Sequence, residues 1–192
     1  MPSHLTILLK KSASEHSHLC PRQVLGVRMG LAGLAALGLK APLTTRTGLV
    51  FIETDGCFAD GIRVASGATV GHRTLRVQDL GKIAAIFSNI KSGTSIRLAP
   101  RSDVRNHALE YAQNEKRRYF AQLQGYQVMP DEELFSFQLV ELLIPPVQVI
   151  SHPNARAHCS NCGEEIINER EVLVDGKVLC QICAYGGYYR VK

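Results

Sequence analysis

Two cysteine pairs near the C-terminus, Cys159-Ser-Asn-Cys162 and Cys180-Gln-Ile-Cys183, carry the clearest chemistry in this chain. Each C-x-x-C places two thiolates on one turn, and seventeen residues separate the pairs. That spacing is the pattern of a four-cysteine zinc ribbon, in which the loop folds back and the four sulfurs close a tetrahedron around Zn²⁺. Four protein ligands leave no position for substrate, so this zinc is expected to hold a fold rather than do chemistry. The intervening residues suit a hairpin: Glu171-Val-Leu-Val174, a turn at Asp175-Gly176, then Lys177-Val-Leu179. Two disulfides are the competing reading, and they suit a secreted protein.

A second group lies near the N-terminus. His16, His18 and Cys20 alternate, and alternation puts side chains on one face only in an extended segment. Pro21 favours that conformation at Cys20 and then suits the first turn of a helix. Cys57, in Glu53-Thr-Asp-Gly-Cys57, follows an expected strand and precedes an expected helix. Both cysteines therefore sit near helix N-termini, where free N–H groups favour a thiolate. His16, His18, Cys20 and Cys57 form a candidate open metal site, which keeps a position for water or substrate. The plain alternative is that each cysteine is a small buried apolar residue.

The elements that must position these residues read as α+β. Residues 2–14 suit a short helix or an unstructured lead, and Pro21–Leu39 suits a helix. Gly26, Gly30 and Gly33 weaken that helix but let another backbone approach closely. Thr47–Thr54 alternates like a strand, and Asp60–Ser66 reads as a helix stopped by Gly67. A meander follows: Thr74–Val77, Lys82–Ser88 and Thr94–Leu98, with turns at Asp79-Leu80-Gly81 and near Ser92-Gly93. Ser102–Gln124 is expected as one long helix, Asp131-Glu132-Glu133 opens a short one, and Phe137–Leu143 is a last strand. The prolines and polar residues of Ile144-Pro145-Pro146 through Ser151-His152-Pro153-Asn154 form a linker. It divides a domain of residues 1–150 from a zinc-ribbon domain of residues 151–192.

Composition bounds the function. With 192 residues, 45% apolar and 20% charged, the chain suits one medium domain and a small appendage. The longest uncharged apolar run, Met29–Leu39, is too short to span a bilayer. No signal-like segment is seen, and with six cysteines this places the expectation in the reducing cytoplasm. The net charge of +5 belongs to residues 1–150, whereas residues 151–192 are neutral before four thiolates are counted. A ribbon of that charge is a poor phosphate binder, so nucleic acid is not expected as a partner.

The runs His16-Ser-His18-Leu-Cys20-Pro and Leu25-Gly-Val-Arg-Met-Gly30 resemble the FmdE family, named after the E component of formylmethanofuran dehydrogenase. So do Glu53-Thr-Asp-Gly-Cys57-Phe-Ala-Asp60-Gly-Ile, Gly67-Ala-Thr-Val-Gly71 and Gly81-Lys-Ile-Ala-Ala. The resemblance covers roughly residues 10–150, and many members carry a four-cysteine ribbon. It implies an α+β core, a His/Cys cleft uniting His16, His18, Cys20 and Cys57, and a homodimer. Two positions depart from the family pattern: Arg22 stands where glycine is usual, and Ala68 where cysteine is frequent. Arg22 sets a cation beside Cys20, which favours a thiolate or an anionic ligand.

The chain has no cysteine run for iron–sulfur clusters, so it does not read as the dehydrogenase itself. The expectation is a zinc-binding accessory protein with a metal or small ligand in the cleft and a protein partner on the ribbon. The alternative is a zinc enzyme, with His18, Cys20 and Cys57 on a second metal and Glu53 or Asp55 as general base. A regulator resembling the DksA/TraR group, and thiol–disulfide chemistry between Cys20 and Cys57, rank below these.

Overall fold

The computed structural model describes residues 3–150 and 154–190. The chain divides into two compact units, Met1–Val147 and Gln148–Lys192. Ser151, His152 and Pro153 of the expected linker lie outside the described residues, as does residue 2 of the expected lead. The helical elements of the first unit are α1 (His4–Ser14), α2 (Pro21–Ala36), α3 (Cys57–Ser66), α4 (Val104–His107), α5 (Arg118–Val128) and α6 (Asp131–Leu134). A four-residue turn of helix, α7 (Pro146–Val149), covers the point in the chain where the units divide.

Five strands form one sheet: β1 (Gly48–Ile52), β2 (Leu75–Val77), β3 (Ala85–Asn89), β4 (Ser95–Pro100) and β5 (Phe135–Val140). Their order is β2-β1-β3-β4-β5, with β1 and β2 parallel and every other pair antiparallel. The fold is α+β, as the sequence pattern implies. The apolar face follows from the register. Val50 sits opposite Phe87 and Leu75, Ile52 opposite Ala85, and Ala85 opposite Leu98, and all six are core residues.

Helix α2 lies between this face and α3. Its glycines make both contacts. A Cβ on Gly33 would fall 2.4 Å from the Phe87 ring of the sheet. A Cβ on Gly26 would fall 2.3 Å from the Phe58 carbonyl oxygen, and one on Gly30 would fall 2.6 Å from the Ala65 Cβ. Gly61 of α3 is equally confined, 2.6 Å from the Gln23 carbonyl oxygen. Residue numbers rise together along the seam, from Gln23 and Gly26 against Phe58 and Gly61 to Gly30 against Ala65. The two helices therefore run side by side in the same direction.

The expected meander is rearranged. β2 does not pair with β3. The chain leaves β1 through α3 and returns as β2 parallel to it, with Val50 opposite Leu75. A crossover helix is what a parallel pairing requires. Asp79-Leu80-Gly81 is then no hairpin turn. Gln78 and Leu80 donate to the carbonyls of Ile52 and Glu53, and the loop passes over the end of β1. The turn near Ser92-Gly93 is a true hairpin, with Gly93 at φ +72° and Asn89 N–H bonded to the Thr94 carbonyl.

The long helix expected over Ser102–Gln124 is also broken. It becomes α4, a series of turns, and α5. Gly125 of α5 packs on Ala108, so tightly that a Cβ would lie 2.4 Å from the Ala108 carbonyl oxygen. In a continuous helix these residues would be about 25 Å apart. Burial of Ala108, Ala121 and Tyr126 in the core outweighs the helix propensity of the intervening segment.

On the sheet side opposite the core, Glu53 accepts from Arg97 Nε at 2.6 Å and from an Arg97 terminal nitrogen at 2.7 Å. The guanidinium holds the Glu53 carboxyl below its ordinary range, against the opposing effect of burial. The Glu53 carbonyl also accepts from Leu80 and Lys82, so this residue ties β1, β4 and the loop before β3 together.

The glycine seam and the Glu53–Arg97 pair each set an expected stability change. Gly26→Ala should destabilise the first unit by about 2 kcal/mol or more through overpacking, despite the gain in helix propensity. Gly71→Ala meets nothing within 4 Å and should change little; denaturant unfolding of both variants decides. Arg97→Met leaves the Glu53 carboxylate buried without its partner and should cost about 3 kcal/mol. Because the folded pKa of Glu53 is lowered, the pair stabilises fully above the unfolded value. Its contribution fades as pH falls through the folded value. The unfolding free energies of wild type and Arg97→Met should therefore converge in acid.

Candidate functional site

The second unit is built on two hairpins and a helical turn: β6 (Arg156–His158) with β7 (Glu165–Ile167), β8 (Val172–Val174) with β9 (Lys177–Leu179), and α8 (Gln181–Tyr185). The Asp175-Gly176 turn takes φ of +50° and +76°, as the hairpin expected between the cysteine pairs requires. The β6–β7 hairpin and α8 were not legible in the spacing. Cys159 and Cys162 occupy the β6–β7 loop, where Gly163 at φ +78° lets its N–H return to the Cys159 carbonyl. Ser160 N–H bonds the Val178 carbonyl and ties this loop to β9. Cys180 caps α8, its sulfur accepting from the Cys183 N–H.

The ligand atoms of Cys159, Cys162, Cys180 and Cys183 all lie within 4.8 Å of one another, and Cys162 and Cys180 Sγ are 3.9 Å apart. A tetrahedron with the usual Zn–S bond has edges of about 3.8 Å, so the four residues fit a metal ion. Their acidities point the same way. Backbone N–H groups of Cys162 and Cys180 pull the Cys159 thiol down to about 6. The Glu164 N–H acts likewise on Cys162, but burial and the sulfurs of Cys159, Cys183 and Cys180 outweigh it and push that thiol up to about 12. Four crowded sulfurs cannot all ionise without a cation among them. Among the described residues, this is the one group of three or more metal-type ligands that converges on a point.

In the first unit, a cavity of about 800 Å³ opens at the shared N-terminal end of α2 and α3. His18, Cys20, Asp55 and Cys57 line it. Cys20 is the N-cap of α2, with φ −119° and ψ 159°, the extended conformation that Pro21 imposes. A reciprocal cap fixes it. Cys20 N–H donates to Gln23 Oε1 at 2.8 Å, and Cys20 Sγ accepts from Gln23 N–H. Gln23 is fully buried and donates onward to Ser12 at the end of α1. Cys57 opens α3 after Gly56, which takes φ +70°. Burial pushes the Cys57 thiol up, and the Cys20 thiol beside it adds to that.

His16 is not on the cavity wall. Ser17, at φ +61°, breaks the extended run, and alternation does not carry from His18 back to His16. His16 Nε2 instead lies 2.6 Å from Asp60 Oδ2 on α3. Asp60 in turn neighbours Arg63, which pairs with Glu15. Of the four expected cleft residues, the fold thus brings His18, Cys20 and Cys57 to one cavity and ties His16 to an ion-pair cluster.

Glu53, one of the two bases considered for a zinc enzyme, is consumed by Arg97 and does not line the cavity; Asp55 does. Ala68, at the position where the family often has cysteine, is fully buried and absent from the wall. The far wall comes from residues that the sequence did not single out: Arg101, Arg105, Tyr119 and Tyr126. They lie on or beside the segment expected as one helix, and the packing of Gly125 on Ala108 folds α5, with Tyr119 and Tyr126, back beside Arg101 and Arg105.

Three comparisons with known proteins bear on this arrangement. The chain is 32% identical over 211 aligned positions to a protein of Archaeoglobus fulgidus described as a probable S-adenosyl-L-methionine-binding protein. The alignment covers 98% of this chain and 55% of the relative, so the chain spans about half the length of that relative. In fold it is similar to an FmdE-like protein of the tungsten formylmethanofuran dehydrogenase type from Syntrophus aciditrophicus, with a TM-score of 0.59 at 17% identity. That match covers 97% of this chain and 95% of the other. The family model described as FmdE, molybdenum formylmethanofuran dehydrogenase operon, matches residues 15–136, which hold β1 to β4, the paired helices and the cavity, and the chain belongs to the FmdE family.

Proposed function

We propose that this protein is a zinc-binding accessory protein of the FmdE type, with a ligand cleft in its first unit and a structural zinc in its second. The observation that carries the reading is the pairing of Cys20 and Cys57 at two adjacent helix N-termini on the wall of one cavity. His18, Cys20 and Cys57 line the cavity without converging on one point, so it would take a small molecule, or a metal ion whose binding draws the three side chains together. The name of the Archaeoglobus relative supports a small-molecule ligand without specifying it, since that protein is much longer. The operon described for the family supports work beside a one-carbon oxidoreductase.

Zinc in the second unit is supported by the all-thiolate donor set and its tetrahedral spacing. Its role follows from the core. Among the described residues of that unit, only Cys159 and Ile166 are buried apolar residues. So little buried surface does not hold a unit of this size, and the metal supplies the missing folding energy. Tyr185, Tyr188 and Tyr189 remain exposed and suit a protein partner. A homodimer through the first unit is supported by β5, an edge strand that leaves Phe137 and Leu139 exposed. Six unpaired cysteines suit a reducing cytoplasm. No helix among the described residues is long and apolar enough to cross a membrane.

The second reading, a zinc enzyme acting on a small molecule, rests on Asp55, which shares the cavity with both thiols and would serve as base.

Elemental analysis of wild type and Cys20→Ser/Cys57→Ser protein tests the cleft. Two metal equivalents per chain falling to one support a cleft metal; one equivalent in both removes the cleft metal and the enzyme reading with it. A chelator strong enough to strip zinc should unfold residues 148–192 while the first unit keeps its cooperative melt. Limited proteolysis would show it as selective loss of the C-terminal unit. Retention of a protected C-terminal unit without metal would refute the structural role.

A further inference from the structure

We infer that the cavity of the first unit selects a small organic anion, whose carboxylate or phosphate is gripped by Arg22, Arg101 and Arg105. The inference rests on the reading of this cavity as a ligand site and names the class of ligand. Arg22 is an electrostatic misfit. It is the second residue of α2, where the helix dipole disfavours a cation, and the first turn of α2 holds no acidic residue. The N-terminus of α3 opens on the same cavity. The acidic residue of its first turn, Asp60, is already bonded by His16 and neighboured by Arg63.

Two more guanidiniums reach this wall from a different part of the chain: Arg101 after β4 and Arg105 on α4. Among the described residues, Asp55 is the sole carboxylate on the wall. Arg101 has only a distant neighbour in Asp103, at 3.9 Å, and among the described residues Arg22 and Arg105 have no carboxylate partner. Elsewhere in the unit, Arg28, Arg63 and Arg97 are each paired. Three arginines and two helix N-termini thus face one space with a single negative group against them.

Guanidiniums match the planar fork of a carboxylate or the oxygens of a phosphate, and two or three around one anion give geometric selection as well as charge. The volume, about 800 Å³, suits a metabolite rather than a lone ion. Tyr119 and Tyr126 supply aromatic wall for the body of such a ligand.

Calorimetric titration of the zinc-loaded protein with inorganic phosphate, and separately with succinate, tests this and tells the two anion classes apart. At least one probe should bind, more weakly as salt is raised. Arg22→Gln/Arg105→Gln should weaken that binding about tenfold or more. Arg46→Gln, an exposed arginine away from the cavity, should leave it unchanged. The exposed side chains replaced in the double variant have no carboxylate partners to lose, so its melting temperature should match wild type. Failure of both probes to bind in the millimolar range, or equal binding by the double variant and Arg46→Gln, would overturn the inference. The same titration on Cys20→Ser/Cys57→Ser separates it from the metal reading. Arginine-dependent binding that survives there supports the anion site even where no second metal is found. A second metal without arginine-dependent binding would sink the anion site alone.

Discussion

The first unit depends on one close contact, the glycine seam between α2 and α3. Removing Cβ atoms at Gly26, Gly30 and Gly61 lets two helix backbones approach until carbonyl oxygens and Cα atoms touch. Two consequences follow from this constraint. The helices run in the same direction, so their N-termini finish side by side. The residues that open them, Cys20 as N-cap of α2 and Cys57 as first residue of α3, therefore meet, although thirty-six positions separate them in the chain. Charge follows the same geometry. Two positive helix ends face one cavity, and an anionic ligand answers that field; the thiolate expected at Cys57 is opposed by burial and by the Cys20 thiol beside it.

The cavity needs a second support, because one side of it is loop. The Glu53–Arg97 pair provides it. The Glu53 side chain joins β1 to β4, and its carbonyl holds Leu80 and Lys82, so the segment carrying Asp55 and the segment carrying Gly81 are anchored at one residue. A carboxylate so neutralised is poorly suited to take a proton from substrate. The acid near the site that looks catalytic in the sequence is thus a structural one, and the carboxylate left on the wall is Asp55. Gln23 does comparable work on the other side, where its buried amide joins the end of α1 to the start of α2 and fixes Cys20.

The second unit follows a different rule. Its described residues form almost no hydrophobic core, and its four sulfurs cluster where a metal ion could join them. Its two cysteine pairs come from unlike settings, a hairpin loop and the start of a helix, yet both present backbone N–H groups to sulfur. Around Cys159 those N–H groups favour the thiolate. The crowding of sulfurs around Cys162 opposes ionisation there, and a metal ion among them would resolve the conflict.

Short-range chemistry was legible in the sequence. The two C-x-x-C pairs, the Asp175-Gly176 hairpin, the start of α2 at Pro21 and the end of α3 at Gly67 each depend on residues within a turn or two of each other; the glycines of α2 announced a close approach but not its partners. Motif order and the resemblance to a family singled out His16, His18, Cys20 and Cys57, and the last three line the cavity. What the sequence did not settle depends on distant partners. The place of β2 beside β1 rather than β3 is decided by the α3 crossover. The break between α4 and α5 is decided by Gly125 packing on Ala108. His16 leaves the cleft because one left-handed residue, Ser17, turns the chain and Asp60 receives its ring. The arginines and tyrosines of the far wall have no motif at all. Local propensity and spacing determine turns, caps and ligand pairs, whereas the walls of a cavity are set by packing across the chain, which no short window of residues encodes.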